Sequence, residues 1–76
     1  MQLDVPAESV ALDRRVRRSR AALMAAAVRL VSERGKTDIP ITELAEAADV
    51  SRRVVYLQFA DRDTLLVAAA LDLVRR

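Results

Sequence analysis

Residues 41–59 read I-T-E-L-A-E-A-A-D-V-S-R-R-V-V-Y-L-Q-F and decide the fold of the chain. In the first part of this stretch, apolar residues lie three or four positions apart, at Ile41, Leu44, Ala45 and Ala48. This spacing predicts a helix with one buried face. The period breaks at Asp49, a residue type that tolerates left-handed geometry, and Ser51 suits the cap of a second helix. That helix carries Arg52 and Arg53 on its first turn. Two short helices joined by a tight turn, with cations opening the second, are typical of a helix-turn-helix that contacts DNA.

The length of the chain predicts a single domain, and its composition excludes most kinds of catalytic and metal site. The chain has 76 residues, 53% hydrophobic and 32% charged, which favours a small globular fold. It has no cysteine and no histidine, which excludes disulfides, the usual zinc sites and Ser-His-Asp or Cys-His catalysis. Its single glycine, Gly35, excludes a glycine-rich phosphate loop. We therefore predict no enzyme, no cofactor and no metal. Apolar runs are too short for a membrane span, and no basic start followed by an apolar core marks a signal peptide, so we expect a cytoplasmic protein.

The positive charge is concentrated rather than large. The net charge is only +2, but one cluster contains Arg14, Arg15, Arg17, Arg18 and Arg20. This cluster has two interpretations. It is an arm or helix start that lies along a DNA backbone or in a minor groove, or it is a solvated face paired with Asp13 and Glu33.

The remaining sequence predicts helices on both sides of the motif. A helix runs from Arg14 to Arg34 and ends at Gly35, with one apolar stripe of Leu23, Ala27, Leu30 and Val31. Before it, residues 1–12 form either a helix opened by Pro6 or a disordered arm. Residues 36–39 are predicted as a loop, with Pro40 as the first residue of the second helix. The third helix ends near Phe59, and we expect a core of Leu30, Leu44, Ala45, Val55 and Phe59.

The fourth helix is capped by Asp61 and is apolar almost all round from Thr64 to Val74. Such a helix needs burial on more than one side, which three short helices do not supply. We expect that further protein follows Arg76 or that a partner chain covers this helix.

Taken together, residues 18–66 resemble the N-terminal DNA-binding domain of the TetR family of bacterial transcriptional repressors. Four segments carry the resemblance in order and spacing: A-A-V-R-L-V-S-E-R-G (26–35), I-T-E-L-A-E-A-A-D-V-S (41–51), V-V-Y-L-Q-F (54–59) and D-R-D-T-L-L (61–66). The resemblance implies an all-α fold, a three-helix homeodomain-like helix-turn-helix bundle plus the start of a fourth, linking helix. It divides the chain into an arm (1–13), the helix-turn-helix domain (14–60) and the start of helix four (61–76).

In that family the fourth helix leads to a C-terminal ligand-binding and dimerisation domain, which lies outside this chain. The resemblance therefore implies a homodimer that binds a palindromic double-stranded DNA operator as a ligand-responsive repressor. A small-molecule effector is expected in the further domain. Asp49 replaces the family's usual turn glycine, Arg53 a small residue and Val54 a hydroxyl residue, so the base preference should differ from that of better-known members.

Eight residues are candidates for DNA contact: Thr42, Ser51, Arg52, Arg53, Val54, Tyr56, Gln58 and Arg62. Arginines at the start of a helix oppose its dipole but pair well with guanine. For Tyr56 the resemblance favours a hydroxyl on phosphate over a half-buried core ring, and Arg62 lies where helix amides and a cation suit a phosphate. Thr42 matches a groove-facing family position, Ser51 is a cap first, and Val54 suits a thymine methyl. Leu57 and Gln58 are weaker candidates. The alternative function is a protein-interaction module whose fourth helix binds a partner.

Overall fold

The structure, a computed structural model, describes residues 7–76. It contains four helices and, over these residues, no strand, which confirms the predicted all-α class. In chain order the helices are α1 (Ala7–Arg34), α2 (Ile41–Ala48), α3 (Arg52–Gln58) and α4 (Arg62–Arg75). Helix α1 packs against α2 and α4 and also contacts α3, so it is the element on which the others are assembled.

All four helices contribute to one apolar core. Its buried side chains are Leu23, Ala27, Leu30, Ile39, Leu44, Ala45, Val55, Phe59, Leu65 and Ala69. The predicted core residues are all among them, whereas Val31, Ile41 and Ala48, predicted on the buried stripes, are only half-buried. No polar or charged side chain is buried in the described part of the chain. The fold therefore depends on apolar burial, at about 1.5–3 kcal/mol for each large aliphatic side chain.

Helix α1 is longer than predicted. It begins at Ala7, seven residues before the predicted start at Arg14, and has 28 residues. The sequence between Pro6 and Gly35 contains neither proline nor glycine, so nothing interrupts the helix even where no apolar stripe marks it. The proposed role of Pro6 and the rest of residues 1–6 lie outside the described residues. At the other end Gly35 adopts the expected left-handed conformation, with φ of 67°.

The connection between α1 and α2 differs from the prediction in two details. Pro40 precedes α2 as its N-cap, with ψ of 146°, instead of forming its first helical residue. Ile39, predicted to lie in a loop, is fully buried in the core. An ion pair between Arg34 and Glu43 further joins the end of α1 to the first turn of α2. The connection is thus a packed part of the bundle.

Helix α4 buries one side only. Leu65 and Ala69 enter the core and Leu66 and Ala68 pack against it, while the large apolar residues Val67, Leu71, Leu73 and Val74 are exposed. Beside them, an open apolar groove of about 230 Å³ runs between α1 and α4. Among the described residues, no helix has the length and apolar character needed to cross a membrane.

Candidate nucleic-acid interface

The turn between α2 and α3 has the tight geometry predicted from the sequence. Asp49 is left-handed, with φ of 58° and ψ of 45°. Its backbone N–H donates to the Glu46 carbonyl at 3.1 Å, and the Val50 N–H donates to the Ala45 carbonyl at 3.0 Å. These bonds pair the last carbonyls of α2 and fix the direction in which the chain enters α3.

Ser51 performs the predicted cap. Its Oγ accepts a hydrogen bond from the Val54 backbone N–H at 3.2 Å. The first turn of α3 is therefore fixed by its own cap, in which the Ser51 Oγ is the acceptor and the hydroxyl proton is not used.

Helix α3 is attached to the bundle by its inner side. Val55 is fully buried, and Phe59, the residue that ends the helix, is buried too. The opposite side of α3 is exposed and consists of Arg52, Arg53, Tyr56 and Leu57. We call these four residues the α3 outer face. They form a continuous surface on a rigidly held helix, which is the arrangement that a major-groove helix requires.

The composition of the α3 outer face suits an anionic partner. Its first turn carries two arginines and no acidic residue. Tyr56 is 56% exposed, so its ring is not the half-buried core aromatic that the sequence left as an alternative. Leu57 is 72% exposed and is therefore available for an apolar contact such as a thymine methyl.

Two predicted contact residues do not lie on this face. Val54 and Gln58 are half-buried on the side of α3 nearer the bundle. The Oε1 atom of Gln58 is enclosed and has no hydrogen-bond partner within the described residues. The structure thus exposes Leu57 in preference to Val54 and Gln58. The exposure of Leu57 is hard to predict from the amino-acid pattern, because a leucine beside Val54 and Val55 looks like a core residue.

Thr42 and Arg62 flank the α3 outer face in the sequence and differ in their surroundings. Thr42 is exposed on the first turn of α2. Arg62 is half-buried at the start of α4, where its Nε lies 3.7 Å from Oδ1 of Asp63. Asp61 caps the same helix by accepting hydrogen bonds from the N–H and hydroxyl of Thr64, both at 2.8 Å. One carboxylate thus lies beside the Arg62 side chain and a second caps the same helix, so part of the positive charge expected to bind phosphate is offset.

The cap also sets the protonation of Asp61. Its pKa is lowered chiefly by the hydrogen bond from the Thr64 backbone N–H, and further by the bond from the Thr64 hydroxyl. The carboxylate is therefore ionised at neutral pH and opposes an approaching phosphate at this helix end.

The arginine cluster of α1 separates into two parts. The Arg20 guanidinium lies over the Phe59 ring, with Cζ 4.6 Å from the ring centroid, and so connects α1 to the end of α3. Arg14, Arg15, Arg17 and Arg18 are exposed. In the described part of the chain, no ion pair joins the cluster to Asp13 or Glu33, contrary to one of the two interpretations of its charge.

The family comparison agrees with this geometry. The family model described as "Bacterial regulatory proteins, tetR family" matches residues 23–69, more than half of the chain. No curated protein and no solved structure gives a significant match. The matched range contains α2, the turn at Asp49, α3 and the parts of α1 and α4 that form the core. This chain therefore belongs to the tetR family of bacterial regulatory proteins, and its helix-turn-helix is the DNA-binding part of a transcriptional regulator.

Proposed function

We propose that the chain is the operator-binding head of a ligand-responsive repressor that acts as a homodimer on a palindromic operator. The observation that supports this most directly is the α3 outer face, because it exposes two arginines on a helix fixed by Val55 and Phe59. In this proposal α3 lies in the major groove, and α4 links the head to a ligand-binding and dimerisation domain. The exposed apolar side of α4 supports that role, since it offers a surface for further protein to pack against.

The proposed contacts divide into base and phosphate contacts. Arg52 and Arg53 reach base edges, where bidentate pairing with guanine contributes about 1–3 kcal/mol of discrimination. Leu57 contacts a thymine methyl. The Tyr56 hydroxyl and Thr42 bind phosphates and set the register of the head on the duplex. Ser51 is a cap first, and its hydroxyl proton can be donated to a phosphate, whereas Arg62 contributes less because it lies beside the Asp63 carboxylate.

The test begins with selection of preferred duplexes from a random library by the full-length protein. Binding of the selected duplex is then measured over a salt series for wild type, Arg53→Gln, Tyr56→Phe and the control Arg29→Gln. Arg29 is exposed on α1 and lies outside the proposed interface. We expect Arg53→Gln to relax base preference at one position of each half-site. Tyr56→Phe should weaken binding to all duplexes alike, and the control should change neither.

The alternative function, a protein-interaction module, is favoured only by the exposed apolar residues of α4. It does not account for the pair of arginines on the α3 outer face. Failure of the full-length protein to bind any duplex in a salt-dependent manner would favour this alternative and reject the repressor proposal.

A further inference from the structure

We infer that the amino-terminal part of α1 is a second DNA-contacting element, which binds phosphates flanking the base pairs contacted by α3. We call residues 10–19 the α1 extension. The inference rests on the proposed function, because it requires α3 to lie on DNA. It assigns a role to Arg14, Arg15, Arg17 and Arg18, which lie outside the helix-turn-helix.

The α1 extension is strongly basic. Residues 10–19 read V-A-L-D-R-R-V-R-R-S and contain four arginines against one aspartate. Arg14 and Arg18 are four residues apart on one side of the helix, where like charges repel each other. The repulsion is not relieved within the described residues, whose ion pairs involve other cations. An external polyanion would relieve it, and duplex DNA is the polyanion that the neighbouring helix is proposed to bind.

The extension projects from the bundle rather than packing on it. Among the α1 side chains whose burial is described, residues 10–34, Leu23 is the first that is fully buried. Upstream on the same stripe, Val16 is 44% exposed and Leu12 is 60% exposed, so the bundle no longer covers this stripe there. The extension is therefore free to contact a macromolecule beside the bundle.

Its position beside α3 is fixed by the contact between Arg20 and Phe59. Because Phe59 ends α3, the extension begins next to the carboxyl end of the helix that carries the proposed base contacts. From Arg20 to Arg14, the arginine farthest from the bundle, the helix rises about 9 Å, at about 1.5 Å per residue. This length corresponds to roughly three base pairs at about 3.4 Å each, so the arginines can contact phosphates beyond those next to α3.

Because the extension is helical, it suits contact with the phosphate backbone better than insertion into the minor groove. A helix with its side chains is about 10–12 Å wide, whereas the minor groove is about 6 Å wide. The minor-groove interpretation of this cluster therefore does not suit a helix. At about 100° per residue, Arg14, Arg15, Arg17 and Arg18 spread over roughly 160° on the side away from Leu23. Such a broad charged surface suits the phosphate backbone, so its contribution should not depend on the base sequence.

The test compares two charge-matched double variants of the full-length protein. Arg14→Gln/Arg18→Gln removes two charges from the extension, and Arg29→Gln/Arg75→Gln removes two exposed arginines elsewhere. Each is titrated against the selected operator, with long flanks and with flanks trimmed to the half-sites. We expect the extension variant to reduce the slope of log affinity against log salt by about 1.8 for each head, or about 3.6 for the dimer on both half-sites, at about 0.9 per phosphate. The reduction should occur only on the long duplex, and the preference for operator over scrambled DNA should not change.

Circular dichroism and the midpoint of thermal unfolding verify that both variants fold. Equal slopes for the two double variants on the long duplex would overturn this inference while leaving the proposed function intact. Loss of binding to phosphatidylserine vesicles with an unchanged DNA slope would also overturn it and assign the extension to a membrane surface. If the wild-type protein binds no duplex, the proposed function itself is rejected. The wild-type titration reveals this outcome before any variant is compared.

Discussion

At the scale of single residues, Asp49 occupies a backbone conformation in which glycine is preferred. Its φ of 58° places it in the left-handed region. Aspartate tolerates this region better than most residues, but a side chain there still costs free energy that glycine avoids. We expect Asp49→Gly to raise the free energy of unfolding by a few tenths to about 1 kcal/mol, and Asp49→Val to lower it. Urea denaturation measures both, and destabilisation by glycine would contradict the argument.

Asp61 makes stability depend on pH through its cap. Because its folded-state pKa is lowered, the ionised cap stabilises the fold above the unfolded-state pKa, and the effect is lost as pH falls through the folded-state pKa. Asp61→Asn keeps a capping oxygen but removes the charge. We expect the wild type to be more stable than this variant above about pH 5, and the difference to shrink as the solution is acidified below about pH 4. Parallel stability curves across this range would contradict the prediction.

At the scale of elements, the connection before α2 is a structural part of the core. Ile39 is fully buried there, whereas Ile41, two residues later, is half-buried and provides a matched control. We expect Ile39→Ala to destabilise the fold by about 2–5 kcal/mol and Ile39→Val by about 0.5–1.5 kcal/mol. Ile41→Ala should lower the free energy of unfolding by less than Ile39→Ala does. An equal loss at both isoleucines, measured by chemical denaturation, would show that burial does not explain the effect.

The sequence predicted elements best where side-chain chemistry marks their ends. Ser51, Asp61 and Gly35 each stop or start a helix through a local hydrogen bond or a special φ, and all three are confirmed. The start of α1 was left open between a helix and a disordered arm, because its first turns have no apolar period, and the structure agrees with the helix from Ala7 onward. The exposure of Leu57 was hard to predict for a related reason: in V-V-Y-L-Q-F, apolar residues fall on both sides of the helix. Which side packs is decided by tertiary contacts that a local pattern does not contain.

At the scale of the whole molecule, the proposed homodimer makes a geometric prediction. Two heads bind adjacent major grooves when their recognition helices are about 34–36 Å apart, one helical turn of DNA. Inserting about 5 bp between the half-sites turns them to opposite sides of the duplex, and inserting about 10 bp restores the same side. We expect the first insertion to reduce affinity to that of a single head and the second to recover part of the loss. Gel-shift titration measures both, and indifference to spacing would contradict the dimer.

The attachment of α3 has a consequence for how this protein can change. Val55 and Phe59 hold the helix from behind, and the residues on its outer face make no hydrogen bond to the core within the described chain. Mutations at Arg52, Arg53, Tyr56 or Leu57 therefore alter the outer surface without disturbing the fold. Binding specificity and foldability are separable traits here. The head is accordingly suited to directed evolution, in which a library on this face alone would redirect the protein to new operators while stability is retained.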